Sequence, residues 1–251
     1  MLEALRGTEL QAVRAWFPPH ARVLEVGGDT GYQASLLASW ACNVVSVDIP
    51  ERPRTTRPYF PVADYDGRHL PFADAAFDRV FTSNVLEHVP HLPQLLVEMR
   101  RVLRPDGLAI HIVPSATWRL WTGLAHYLWL AEQPWGRTRR PPVEAVAHPA
   151  PHQPSRVAHG RLTLVHRAAR KLVVLPHGEY PSAVAELWHY RRTSWRRVLE
   201  RSGVHIIWEG AAGLFYTGYA LFPWLRLRDR QRLASLLGSA CHVFVVQRAS
   251  S

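Results

Sequence analysis

The sequence predicts an α/β protein with a mostly parallel sheet and helices on both faces. Three observations predict it. Short apolar runs alternate with stretches of helical spacing through residues 1–114, a glycine-rich turn joins the first run to a helix, and the second run ends in an acidic residue about 20 positions later. This alternation gives parallel strands joined by right-handed crossovers. A chain of 251 residues can bury one substantial core.

The elements before Pro114 follow from the spacing of apolar residues and from turn residues. Residues 2–17 carry apolar side chains at helical spacing, and two prolines end that helix. After it, the predicted elements are a strand at 22–26, a helix at 32–40, strands at 43–47 and 80–83, an amphipathic helix at 92–103 and a strand at 107–113.

The second half of the chain differs in composition. Residues 115–160 contain five tryptophan or tyrosine side chains, and a proline- and histidine-rich stretch occupies residues 141–159. We interpret 115–181 as an inserted lid that binds substrate. A helical pattern then runs from Ser182 to Gly203, and the last predicted strands are 204–208 and 241–246. The predicted division is therefore 1–114, 115–181 and 182–251.

Charge is distributed unevenly between the two halves. Residues 1–114 carry 11 basic and 13 acidic side chains, whereas residues 115–251 carry 19 and 7. A basic half can meet nucleic acid, an anionic membrane surface or an acidic substrate. Because Lys171 is the only lysine, a compositional preference for arginine can also explain part of the excess.

The turn after the first strand predicts a nucleotide-type site. Gly27, Gly28 and Gly31 let the backbone approach a ligand and present N–H groups at the start of a helix. Asp48, at the end of the second strand, is placed to accept hydrogen bonds from a ribose diol. A dinucleotide site shares both features, but the spacing of Gly27 and Gly31 is that of Gly-x-Gly-x-Gly and favours another cofactor.

Several short segments carry a family resemblance. They are Val23–Gly31, Val45–Asp48, Asp66–Phe72 with Phe77–Val80, Asn84–Val89 and Leu103–Leu108. In this order and spacing they resemble the class I S-adenosylmethionine-dependent methyltransferases, in particular the small-molecule group called type 11. The resemblance implies a Rossmann-like seven-stranded sheet with an antiparallel last strand, and S-adenosylmethionine as a cofactor that leaves as S-adenosylhomocysteine. Residues 1–114 would then be the cofactor-binding half.

The resemblance also implies which residues bind the cofactor. The methionine part would lie against Glu25, Gly27, Gly28, Asp29 and Gly31. The remaining positions are Asp48 for the ribose, Ile49 for one adenine face, Asp66 and Gly67 for the adenine edge, and Asn84 and Val85 behind the sulfonium. Asp48 and Asp66 could instead be turn caps.

Asp29 departs from the family pattern, which has a glycine at this position. Aspartate tolerates a left-handed backbone, and its carboxylate could pair with the cationic groups of the cofactor. The substitution could also weaken binding, so a non-catalytic protein that keeps the methyltransferase fold is an alternative.

The acceptor is predicted to be small and lipophilic or amphipathic, methylated on O, C or N. Aromatic side chains and arginines interleave in the second half, as in an interfacial surface or an apolar pocket with an anionic end. His88 is the candidate general base. The candidate substrate residues are Trp118, Trp121, His177, Glu179 and Tyr180.

Other partner classes are less well supported by the sequence. An RNA-directed methyltransferase is the competing interpretation, because stacking rings with arginine also bind RNA, but no continuous basic run and no motif for methylating a base nitrogen is present. The two cysteines lack the spacing of a zinc site, so no metal is expected. We predict no export signal or transmembrane helix, a cytoplasmic location and possible peripheral membrane contact.

Overall fold

A computed structural model of the chain describes residues 1–50, 57–131, 174–219 and 224–249. The strands are β1 Arg22–Val26, β2 Asn43–Asp48, β3 Val62–Asp64, β4 Phe77–Ser83, β5 Leu103–Pro114, β6 Val204–Ala211 and β7 Cys241–Arg248. The α-helices are α1 Leu2–Ala12, α2 Tyr32–Ser39, α3 Leu92–Val102, α4 Ala116–Ala131, α5 Ala183–His189, α6 Arg192–Glu200 and α7 Leu227–Leu237.

The strands form one seven-stranded sheet in the order β3-β2-β1-β4-β5-β7-β6. Strands β1 to β5 pair in parallel, and β7 runs antiparallel to both of its neighbours. The predicted α/β fold with a mostly parallel sheet and an antiparallel last strand is confirmed. The chain order reverses between β1 and β4, so the carboxyl ends of these strands border the crevice where α/β sheets bind ligands.

The core lies on both faces of the central strands. Val23, Leu24 and Val26 in β1 and Val80 and Phe81 in β4 are fully buried. Helices cover both faces of a parallel sheet, so its strands are apolar on both sides. This is why β1 is recognisable as a continuous apolar run, and its observed bounds match the predicted ones.

Several elements differ from the sequence-based expectation. The helix predicted at residues 2–17 is Leu2–Ala12, and the strands predicted at 80–83 and 204–208 are Phe77–Ser83 and Val204–Ala211. The edge strand β3 was not predicted, because its three residues are mostly exposed and show no apolar alternation. Strand β5 begins at Leu103 rather than at residue 107, through a single pairing with Phe77 before a register shift. The single helix expected from Ser182 to Gly203 is two helices, broken at Arg191, whose backbone is extended at φ −67° and ψ 145°.

The region predicted to be a lid begins as a helix directly after β5. The Ser115 hydroxyl accepts a hydrogen bond from the Trp118 N–H at 3.0 Å and donates one to the Ser239 carbonyl at 2.6 Å, which fixes the first turn of α4 beside β7. The proline- and histidine-rich stretch at 141–159 lies outside the described residues, and the predicted division at 114 and 181 stays a prediction. Among the described helices, none is long and apolar enough to cross a membrane.

Candidate functional site

The glycine-rich turn between β1 and α2 leaves no room for side chains. Gly27 and Gly31 have φ of 86° and 76°, which L side chains rarely adopt. A Cβ at Gly27 would lie 2.2 Å from a Val85 methyl group, and one at Gly31 would lie 2.4 Å from the Phe60 carbonyl oxygen. Asp29 is also left-handed, at φ 46°, a conformation that aspartate tolerates better than most residues.

Asp48 fastens this turn to the end of β2. One carboxylate oxygen accepts the Asp29 N–H at 2.7 Å, and the other accepts the Ile49 N–H at 2.7 Å. A carboxylate oxygen has capacity for more than one hydrogen bond, so Asp48 can both hold the turn and accept from a diol. The sequence predicted Asp48 as a ligand residue, which stays a prediction, and gave no sign that it anchors Asp29.

Glu25 brings a further carboxylate to the same place. It is buried in β1, and Ser46 Oγ donates to its Oε2 at 2.5 Å. Burial, together with the nearby charges of Asp48 and Asp29, raises the pKa of Glu25 to about 8. Three carboxyl groups therefore converge at the carboxyl ends of β1 and β2, an arrangement that a cationic ligand would stabilise.

Asp66 closes the turn that follows β3. Its Oδ1 accepts the N–H groups of Arg68 at 2.8 Å and His69 at 2.6 Å, and these bonds, with the His69 ring, lower the pKa of Asp66 to about 2. Gly67 lies beside Ile49, since a Cβ at Gly67 would be 3.2 Å from the Ile49 Cγ2 atom. Ile49, Asp66 and Gly67 are therefore neighbours, and Asp66 is a turn cap whether or not it also contacts a ligand.

A cavity lies beyond the end of β4. Asn84, at φ 54°, follows this strand, and its Oδ1 accepts the Cys241 thiol at 3.3 Å. The residues around the cavity come from α1, the segment after β4, the end of β5, α4 and the loops before α5 and α7. They are Leu2, Arg6, Asn84, His88, Pro114, Trp118, His177, Tyr216, Thr217 and Gly218.

Four of the residues predicted for catalysis, cofactor or substrate meet at this cavity. Asn84, His88, Trp118 and His177 all line it. The ring of His177 packs edge-on against both His88 and Trp118, with centroid separations of 4.7 and 4.8 Å. Residues far apart in the chain are thus brought together by the packing of α4 and the loop before α5.

The other three predicted substrate residues lie elsewhere. The Trp121 indole N–H donates to the Leu237 carbonyl at 3.1 Å, so this ring packs under α7. Tyr180 stacks on His189 with ring centroids 4.1 Å apart. Glu179 contributes its backbone N–H to the Glu87 carbonyl while its side chain is exposed.

A buried ion pair that sequence reasoning missed holds the His177 loop. Arg119 Nε lies 2.6 Å from Glu186 Oε2, and both side chains are buried. The other Glu186 oxygen accepts from the N–H groups of His177 and Gly178 and from the Tyr190 hydroxyl. Neither partner has a local sequence signal, because the pair forms only when α4 and α5 pack together.

A second hydrogen-bonded network, which the sequence also did not indicate, forms the wall of the cavity next to α1. Arg6 Nη1 donates to Glu9 at 2.8 Å and to the Tyr216 hydroxyl at 3.2 Å, and Tyr216 donates to the other Glu9 oxygen at 2.7 Å. The Cys241 thiol lies 3.2 Å from the Tyr216 oxygen. Burial strongly raises the pKa of both Tyr216 and Cys241, so both stay protonated.

Residues 3–207 match a family model described as a methyltransferase domain. The chain belongs to this methyltransferase family. An uncharacterized methyltransferase of Mycobacterium sp. (strain KMS) is 35% identical over 130 residues, covering 47% of this chain and 50% of that one. Another from Mycobacterium marinum is 36% identical over 120 residues, with shares of 42% and 45%. The chain thus spans about half the length of the curated relatives it matches.

Solved structures agree with the fold of a methyltransferase. An S-adenosylmethionine-dependent methyltransferase from Mesorhizobium loti superposes with a TM-score of 0.54 at 17% identity, covering 97% of this chain and all of that one. A Burkholderia thailandensis N1-methyltransferase with bound 1,6-didemethyltoxoflavin and S-adenosylhomocysteine gives a TM-score of 0.52 at 14% identity, covering 98% and 79%. At these identities the structures show the fold, and S-adenosylmethionine as the cofactor is what the sequence resemblance implies.

The donor set at the turn fits this cofactor. S-adenosylmethionine carries an ammonium and a sulfonium. The carboxyl groups of Asp29 and Asp48 offer opposite charge at the end of the sheet, and Glu25, whose pKa is raised to about 8, adds to it once ionised. Asp48, which accepts the N–H groups of Asp29 and Ile49, is an acceptor of the kind that ribose hydroxyls require. Ile49 presents a partly exposed side chain beside Gly67, where an apolar adenine face could pack.

Proposed function

We propose that the chain transfers a methyl group from S-adenosylmethionine to a small, lipophilic or amphipathic acceptor bound in the cavity beside Asn84. One observation carries the proposal. Val85 packs against Gly27 in the glycine-rich turn between β1 and α2, while the preceding residue, Asn84, lines the cavity. The two sites therefore share one short segment after β4, and a methyl group presented there would face the acceptor.

The protein's main task in this reaction is alignment. When bound, the cofactor supplies a methyl group attached to a sulfonium sulfur. After the transfer, the rest of the cofactor leaves as a neutral thioether. The chain's residues hold the two reactants in line and exclude water. Holding the reactants in this way makes the reaction effectively intramolecular, and this accounts for most of the rate acceleration. For a hydroxyl acceptor, a ring nitrogen of His88 is placed at the cavity to accept the proton.

The surroundings of the cavity support an amphipathic acceptor. Trp118 and Tyr216 give it aromatic walls. Outside it, Leu120, Leu124 and Leu128 form an exposed apolar stripe on α4. The Arg191 guanidinium lies 3.6 Å from the centroid of the exposed Trp188 ring, a pairing suited to a lipid interface. Peripheral membrane contact is part of this proposal. The 1,6-didemethyltoxoflavin bound to the Burkholderia N1-methyltransferase is a precedent for a small acceptor.

Calorimetric titration with S-adenosylmethionine and S-adenosylhomocysteine tests the cofactor site. We expect micromolar binding that weakens about tenfold or more in Asp48→Ala, because charged hydrogen bonds are lost. Asp106→Ala removes an exposed aspartate near the start of β5 and is the matched control. No binding by the intact chain would favour the non-catalytic alternative, and Asp29→Gly would then show whether the missing glycine is the cause.

Acceptors are then screened by transfer of labelled methyl groups. We expect amphipathic phenols, carboxylates or amines to be labelled and RNA not to be. Labelling of RNA, together with retention that falls steeply with salt, would favour the RNA-directed alternative instead.

A further inference from the structure

Three metal-ligating side chains meet at the edge of the cavity. Glu87, His88 and His177 each offer one ligand atom, and these three atoms all lie within 4.8 Å of one another. Glu87 and His88 lie in the 3₁₀ turn that follows β4, whereas His177 comes from the loop before α5. A carboxylate and two imidazoles from separate segments thus converge at one point.

The Glu87 carboxyl group has no hydrogen-bond partner among the residues that the structure describes. Its residue is 2% exposed, and neither oxygen accepts a hydrogen bond from another residue there. The nearest basic atom is His88 Nε2, at 3.8 Å from Oε1. Burying a carboxyl group without hydrogen bonds costs free energy. A ligand that binds to the Glu87 oxygens would offset that cost.

The backbone holds these ligands in place. The Glu179 N–H donates to the Glu87 carbonyl at 2.9 Å, and a Cβ at Gly178 would lie only 2.3 Å from that carbonyl oxygen. Glu186 fixes the same loop through the N–H of His177 at 2.5 Å. Ligands that are positioned before binding favour a metal site over a chance cluster.

We propose that Glu87, His88 and His177 bind a divalent transition-metal ion. Two imidazoles and one carboxylate are a donor set for zinc, iron or cobalt rather than for magnesium or calcium, which prefer oxygen ligands. Three protein ligands leave coordination positions open, as in catalytic zinc sites. The expectation of no metal rested on the cysteine pattern, and this site contains no cysteine.

An open position on the ion would face the acceptor. His88 and His177 line the same cavity as Asn84, so a hydroxyl or carboxyl group bound there could reach the ion. A bound cation lowers the pKa of a hydroxyl that it coordinates, and the ion would then replace His88 as the group that activates the acceptor. This use of the ion rests on the proposed function, whereas metal binding itself does not.

Titration of the whole chain of 251 residues, after treatment with a chelator, with Co²⁺ tests the site. Visible d–d absorption reports coordination by protein ligands, and competition with Zn²⁺ gives the relative affinity. The variants are Glu87→Gln and His177→Gln, with His205→Gln on the exposed side of β6 as the matched control. Circular dichroism and thermal melting verify that each variant is folded.

We expect one equivalent of Co²⁺ to bind with visible absorption. The affinity should fall at least about tenfold in His177→Gln and Glu87→Gln and stay unchanged in His205→Gln. His177 lies on a partly exposed loop, so its variant decides the question if Glu87→Gln is unstable. Absence of the visible bands in the unmodified protein, or wild-type binding by His177→Gln, would overturn the site. These titrations contain no S-adenosylmethionine, so their failure is separate from a failure of cofactor binding.

Discussion

Raising the pH should strengthen S-adenosylmethionine binding through Glu25. Burial raises the pKa of Glu25 to about 8 in the ligand-free chain, so the group is mostly neutral at low pH. A cationic ligand binds the ionised form better. With a pKa of about 8, the ionised fraction is roughly 1% at about pH 6 and roughly a quarter at about pH 7.5. If binding requires ionisation, the association constant should rise about 25-fold across this range.

Calorimetry at several pH values measures this change. The range stops at about pH 7.5 because the α-amino group of the ligand, with a pKa of about 7.7, loses most of its protons above that pH. Titration in two buffers of different ionisation enthalpy should also show a proton released on binding at low pH. Glu25→Gln is the control, and it should bind weakly with no dependence of this size. A flat affinity in the intact chain, or the same slope in Glu25→Gln, would refute the role of Glu25.

Three further substitutions test the architecture around the site. Gly31→Ala should destabilise the fold by about 2 kcal/mol or more in urea unfolding, because a Cβ at φ 76° would meet the Phe60 carbonyl. The same change at Gly123, a helical position with nothing within 4 Å, should be neutral or stabilising. Arg119→Met should lower the free energy of unfolding by about 3–5 kcal/mol, because it leaves Glu186 buried and unpaired. A much smaller loss in the double variant with Glu186→Gln would identify the unpaired charge as the cause. Tyr216→Phe should cost about 1–3 kcal/mol through the lost bond to Glu9, and an unchanged melting temperature would contradict that bond.

The predictable parts of the fold are those whose burial is uniform. Strand β1 is apolar along its length because helices cover both faces of the sheet, so its limits could be read from sequence. Strand β3 is an exposed edge of three residues and leaves no such pattern. The break between α5 and α6 was missed because the apolar spacing continues through it, while Tyr190 turns its ring into the core.

The predictable parts of the candidate site are those encoded in short segments. Gly27, Asp48 and Asn84 lie at strand ends, where turn residues and motif spacing indicate their positions. The ion pair of Arg119 with Glu186 was not predictable, since either side chain could as well have been part of a solvated helix face. Glu87 lies in the segment Asn84–Val89 that carries the family resemblance. Only the structure shows that its carboxyl group is buried next to His88 and His177.

Asp29 shows how a departure from the family pattern can keep the site intact. Its left-handed backbone is the conformation that a glycine would adopt, and its N–H binds Asp48 at 2.7 Å. The carboxylate therefore adds negative charge without displacing the turn, and that charge helps to raise the pKa of Glu25. Like charges destabilise one another unless a cation lies among them. Asp29 is thus compatible with a site for a cationic ligand, whose charge would offset that of the neighbouring carboxyl groups.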